Sequence, residues 1–180
     1  MHEFAYFRPV ASHGPPSIER AFAAVSEPVR IAAREASRAL RDLGIRHALV
    51  GGLAVGAHGA PRNTTDVDFL VGLEAFEGAG LILTHRAGVP VRVGAVAVDL
   101  LPAEDPALTD ALDAAQGGDD VPVIGLPALV QMKLRAFRAR DQDDVRRLLV
   151  AGADLGAMRA HLAAAEPTLL SRLDYVLSRE

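Results

Sequence analysis

The feature that most constrains this chain is a glycine pair, Gly51-Gly52, separated by thirteen residues from two alternating aspartates, Asp66-Val67-Asp68. The glycines close a short apolar run, Ala48-Leu49-Val50, and the aspartates open another that reaches Val71. An apolar run that ends in glycine reads as a short buried strand turning straight into a helix. On a strand, residues i and i+2 point the same way, so Asp66 and Asp68 project from one face roughly 7 Å apart, while Val67, Phe69 and Val71 anchor the other. Two carboxylates so placed suit a pair of Mg²⁺ ions about 3.5–4 Å apart, which clamp attacking and leaving oxygens in phosphoryl transfer. The competing reading is a pair of solvated acids at a strand start, although aspartate is disfavoured in strands.

Asp99 extends the pattern. It interrupts Val96-Ala97-Val98-Asp99-Leu100-Leu101, an otherwise apolar strand. A buried, unpaired carboxylate costs several kcal/mol or takes up a proton, so a partner is expected. A metal held jointly with Asp66 and Asp68 is one such partner, and Ala97, on the same face, leaves room beside it. An ion pair with Arg92 is the other. At Gly51 and Gly52, backbone N–H groups at a helix start can receive a phosphate, and the missing side chains let it approach. Alone, such a pair is read as a tight turn; its place before Asp-Val-Asp gives it meaning.

The rest of the composition excludes several classes. With 180 residues, half of them hydrophobic and 23% charged, the chain can bury a real core and is not of disordered type. It has no cysteine, which excludes disulfides and thiolate metal sites. A formal net charge of −4 gives no global pull toward nucleic acid. Met1-His2-Glu3-Phe4 lacks the basic start and apolar centre of a signal peptide, and no apolar run approaches membrane-spanning length. The expectation is a soluble cytoplasmic protein with no membrane partner.

Three parts are expected: an N-terminal arm over 1–27, a core over 28–124, and a C-terminal helical part over 125–180 packed on that core. Phe4, Tyr6, Phe7 and Phe22 place four of the eight aromatics in the arm, which reads as docking on the body or on a second subunit, as in a homodimer. Periodicity predicts a helix over 28–43 stopped by Gly44, and a short helix through Leu53, Ala54 and Val55 that ends at Gly59-Ala60-Pro61. Strands are expected at 48–50, 67–71, 91–93 and 96–101, the last two a hairpin turning at Gly94. After Pro106 the chain reads as mostly helical. The loop Gly117-Gly118-Asp119-Asp120 leads to a brief strand over 121–124, then helices near 126–139, 142–151, 155–165 and 168–178. The fold class is α+β: a short mixed β-sheet flanked by helices, with C-terminal helices.

Gly51, Gly52, Asp66, Asp68 and Asp99 together resemble the motif of the nucleotidyltransferase superfamily of the DNA polymerase β type. The surrounding His58-Gly59, Arg62 and Thr64-Thr65 are similar to small prokaryotic members, among them the nucleotidyltransferase-like toxins of abortive-infection toxin–antitoxin systems. So is the later run Lys133-Leu134-Arg135-Ala136 with Arg140-Asp141-Gln142-Asp143-Asp144. The resemblance covers roughly residues 28–150. It implies a minimal nucleotidyltransferase fold that transfers an NMP from an NTP to an acceptor and releases pyrophosphate, with Mg²⁺, or Mn²⁺, as a two-ion cofactor. It further implies that Asp66 and Asp68 bind both metals and that Asp99 binds the catalytic one and helps activate the acceptor. Gly51, Gly52, Arg62, Thr65 and Lys133 would hold the nucleotide. RNA or tRNA is the implied acceptor and a cognate antitoxin the implied partner. A small-molecule acceptor such as an antibiotic hydroxyl is one alternative, and a non-catalytic protein of the same fold that binds nucleotide or a partner is the other.

Several residues carry two readings each. Lys133 either reaches the phosphates or snorkels on the surface. Asp141, Asp143 and Asp144 are read as helix-capping and dipole-complementing acids, with an orienting role for Asp141 or Asp144 toward Lys133 as the alternative. Arg62 either reaches a triphosphate or acceptor or is an ordinary surface residue. His58 is read as structural, and Thr64 and Thr65 as ordering their loop. Arg135, Arg138, Arg140, Arg146 and Arg147 either track an RNA backbone or form a wet helix face.

Overall fold

A computed structural model describes residues 14–78, 82–116 and 120–179. The expected docking residues Phe4, Tyr6 and Phe7, and Gly117-Gly118-Asp119, lie outside the described residues. Phe22 is described and buried, in a five-residue helix α1 (Ile18–Phe22) whose side packs on the core.

Helix α2 (Glu27–Asp42) starts behind Ser26 with Pro28 in its first turn, where a missing N–H costs nothing. It buries Val29, Ala32, Ala33, Ala36 and Leu40, a stripe of mostly small side chains that lets the helix lie close over the sheet. Gly44, at φ +70°, ends it as predicted. The chain then runs through β1 (His47–Leu49) into α3 (Gly51–Ala57), and returns as β2 (Val67–Val71) antiparallel to β1.

A 3-10 turn at Leu73–Ala75 and a small pair, β3 (Phe76–Glu77) with β4 (Thr84–His85), follow; none of these had a sequence signal. The expected hairpin forms from β5 (Arg92–Val93) and β6 (Val96–Pro102), turning at Gly94 with φ +58°. β6 also lies parallel to β2, in a register that sets Asp68 beside Asp99. The four-stranded sheet is therefore mixed, in the order β1-β2-β6-β5.

Helices α4 (Pro106–Ala114), α5 (Leu126–Ala136), α6 (Ala139–Val150), α7 (Leu155–Ala165) and α8 (Leu170–Ser178) complete an α+β fold. Their buried side chains join those of the sheet in one continuous cluster. Among the described residues no helix is long and apolar enough to cross a membrane.

Two expectations fail for identifiable reasons. Residues 121–124 do not form a strand: Leu49 pairs with Val123 as a single parallel bridge, since Pro122 has no N–H to donate. The helix expected over 126–139 stops at Ala136, and the next begins at Ala139 rather than 142. Between them Phe137 takes a left-handed conformation, φ +52°, which is rare for a bulky residue. Two contacts hold its ring there. Tyr175 packs on its ring, with centroids 5.8 Å apart, and the Arg172 guanidinium lies 5.0 Å over it. Arg172 also donates to the Leu134 and Arg135 carbonyls, which the end of α5 leaves unpaired. Asp141 then starts α6 by accepting from the Arg138 N–H.

Candidate active site

A cleft of about 730 Å³ opens between one face of the sheet and the facing sides of α5 and α6. Asp66, Asp68 and Asp99 all line it, and each offers a carboxylate oxygen within 4.8 Å of the others. Asp66 and Asp68 are half-buried and Asp99 is exposed. That corrects the expectation of a buried Asp99: its face of β6 is turned to the open cleft, so no desolvation cost demands a partner. Nor does Arg92 pair with it; the Arg92 guanidinium bonds the Ala95 carbonyl instead. Strand register alone carries Asp99 to Asp68.

Three carboxylates this close repel one another, and Asp68 bears the consequence. Burial, then the charges of Asp66 and Asp99, push its pKa up to about 6, against an opposing pull from Lys133 and Arg62. A cation bound among the three would relieve that repulsion, and an all-oxygen set suits a hard divalent ion. The cluster is thus able to hold a metal ion.

Thr64 donates a 2.6 Å hydrogen bond to Asp66 Oδ1 and lines the cleft. Thr65, the residue expected to bind nucleotide, is exposed and outside the cleft: it opens the bend before β2, and of the two threonines only Thr64 faces the site. Gly51 and Gly52 line the cleft too, and steric demands explain both. Gly51 sits at φ +60°, and a Cβ there would fall 1.8 Å from Asp68 Oδ2. A Cβ on Gly52 would lie 3.0 Å from the Arg62 guanidinium. The missing side chains therefore make room for Asp68 and Arg62.

Opposite the carboxylates runs a chain of alternating charges. Arg62 grips Asp144 with two hydrogen bonds of 2.7 and 3.1 Å. Lys133 Nζ lies 2.8 Å from Asp144 and 3.1 Å from Asp141. Asp141 also accepts from Arg138 Nε at 2.7 Å. Burial works against the ionised Asp141, but the hydrogen bonds from Arg138 and Lys133 more than offset it and lower its pKa. Three cations meet two carboxylates, leaving one positive charge in surplus beside the acidic cluster.

Lys133 is only 8% exposed, so it does not snorkel. Asp144 is fully buried and caps nothing; its job is to join Arg62 to Lys133 across 82 and 11 residues of sequence. Asp141 both caps and pairs, while Asp143 pairs with Arg146 and Arg147 on the surface. His58 bonds the Ile124 carbonyl, a structural role.

Of the five clustered arginines, Arg135 pairs with Asp105 and Glu166, Arg138 with Asp141, and Arg146 and Arg147 with Asp143. Among the described residues Arg140 alone of the five makes no ion pair, and it lines the cleft. Thr64, Leu101, Met132 and Arg138 also line it without having been picked out for it in the sequence.

No protein-family profile matches the chain, and no curated protein matches it. Among solved structures it is similar to an antigenic nucleotidyltransferase-like protein from Paracoccidioides brasiliensis, at 17% identity and a TM-score of 0.45. That similarity spans 84% of this chain and 94% of the other.

Proposed function

We propose that the chain is a metal-dependent nucleotidyltransferase, which moves an NMP from an NTP to a hydroxyl acceptor and releases pyrophosphate. One observation carries the proposal: Asp68 and Asp99 on two parallel strands, and Asp66 just before the first of them, converge in a cleft whose opposite wall is cationic. Asp66 and Asp68 would hold two Mg²⁺ or Mn²⁺ ions, and Asp99 would share the one nearer the acceptor. Such ions neutralise charge on the phosphates and align attacking and leaving oxygens.

The chain's own residues supply the rest. Thr64 fixes the orientation of the Asp66 carboxylate. Gly51 and Gly52 carry no Cβ to displace the Asp68 carboxylate and the Arg62 guanidinium, so both groups keep their places at the cleft. Lys133, Arg62 and Arg138 are held by Asp141 and Asp144 before any ligand arrives, so their charge is pre-set for a polyphosphate. Asp99, the exposed member, would take the proton of the incoming hydroxyl. No nucleophilic side chain is required, because positioning and charge do most of the work in phosphoryl transfer.

The test is transfer of label from the four α-labelled NTPs, with Mg²⁺ or Mn²⁺, to cellular RNA and to small alcohols, beside an Asp66→Asn/Asp68→Asn control. Metal-dependent transfer that the control cannot perform is the expected outcome. Absence of both transfer and metal-dependent NTP binding would remove the proposal.

A further inference from the structure

Two residues of the cleft wall have no part in the chemistry above. Between Asp68 and Val98 the chain contributes only His85, on β4, and Val91, just before β5, to the lining. Val91 is 50% exposed, and its carbonyl accepts the Val98 N–H, which ties this stretch to β6 one residue from Asp99. Among the described residues no member of the lining but His85 carries a ring. His85 stands opposite Phe76 in the β3–β4 register, with ring centroids 5.2 Å apart and a tilt of 32°. Phe76 packs in turn against the hydrophobic core, so the imidazole is braced from one side. His85 is exposed, and among the described residues it makes no hydrogen bond or ion pair. A ring that is braced, unbonded at its edge and open to a cleft suits a flat group that stacks on it.

The charged parts of an NTP already have their counterparts: Arg62, Lys133 and Arg138 for the phosphates, and the three carboxylates for the ions. Its base is flat, and no other ring of the lining can receive it. We infer that His85 binds the nucleobase of the NTP, which stacks on the imidazole face that Phe76 leaves open; this rests on the nucleotidyltransferase reading. Stacking uses the face of a base and not its hydrogen-bonding edge, and every base has such a face. The site therefore accepts all four NTPs, and holds purines more tightly than pyrimidines because their rings cover more area.

The test measures binding of the four NTPs and of tripolyphosphate by calorimetry, with Mg²⁺ and without acceptor, on wild type, His85→Ala and His85→Trp. The chain has no tryptophan, so the indole in His85→Trp is a sole reporter of ring contact by fluorescence. His85→Ala is expected to bind ATP and GTP about tenfold or more weakly, CTP and UTP with a smaller loss, and tripolyphosphate as wild type does. His85→Trp should keep NTP affinity, with its fluorescence quenched by NTPs and not by tripolyphosphate. Unchanged NTP affinity in His85→Ala, an equal loss for tripolyphosphate, or an indole that NTPs do not quench would each overturn the base assignment and leave the enzyme class standing. A wild-type protein that binds none of the four NTPs would instead strike the nucleotidyltransferase reading itself.

Discussion

Replacing Asp68 with asparagine should make the metal-free protein more stable while removing its metal response. The pKa of Asp68 rises from an ordinary 3.8 to about 6, chiefly through burial and the charges of Asp66 and Asp99. A group whose pKa is raised on folding contributes stability in full below its unfolded value and loses it as pH climbs through the folded value. Above pH 6 the ionised Asp68 is therefore a standing cost, of about 3 kcal/mol at 1.36 kcal/mol per pKa unit. Asparagine has the same shape and no charge. At about 2–4 °C per kcal/mol for a chain of this size, Asp68→Asn should raise Tm by about 6–12 °C at pH 7.5. The assay is thermal unfolding in chelator at pH 7.5, 6 and 5, repeated with excess Mg²⁺. The gain should shrink as pH falls from 6 toward 3.8, and added Mg²⁺ should stabilise wild type only. A variant less stable than wild type at pH 7.5, or a gain that ignores pH, would refute the electrostatic reasoning.

Other substitutions probe the remaining parts. Asp144→Ala strips Arg62 of its counter-charge and leaves Lys133 with Asp141 alone, and should cost about 3–5 kcal/mol in urea unfolding; Lys133→Met in the same chain should recover part of that loss. Gly51→Ala forces a Cβ into the Asp68 carboxylate at a left-handed position, and should abolish stabilisation by Mg²⁺ in a thermal-shift assay while costing about 1–2 kcal/mol in backbone strain. Thr64→Val removes the hydrogen bond that orients Asp66, worth about 1 kcal/mol, and should weaken Mg²⁺ affinity about fivefold by titration calorimetry. Because Asp68 must shed its proton to bind a cation, Mg²⁺ affinity of wild type should fall about tenfold per pH unit below 6, with proton release measurable by calorimetry in two buffers.

The features legible in the sequence were those written in neighbouring residues. Glycines marked the turns at 44 and 94, and the Asp-Val-Asp spacing marked two acids that meet in the cleft, although Asp66 does so from the bend before β2 and not from the strand. Its apolar neighbours mark Asp99 in the sequence as a buried acid, but Asp99 is exposed, and pairing between β2 and β6 is what brings it near Asp68. Asp144 was undervalued because its partners are far away along the chain, and only tertiary packing reveals that it is enclosed by two cations. The break at 137 was hidden because glycine is the usual signal for a left-handed residue, and here a phenylalanine takes that conformation under the hold of Arg172 and Tyr175. Choosing between Thr64 and Thr65 required the path of a loop, which no local pattern encodes.

That hold on Phe137 also imposes an order of assembly. During synthesis the glycines and all three carboxylates emerge long before residue 172, so the acidic half of the cleft can be made while the cationic half still lacks its brace. Without Arg172 and Tyr175 the left-handed turn is disfavoured by about 1–2 kcal/mol, and α5 and α6 lose the angle that sets Lys133 against Asp141 and Asp144. The cleft closes its circuit of charges only once α8 has packed on the end of α5, so the cationic half of the site depends on a helix that supplies none of its charges.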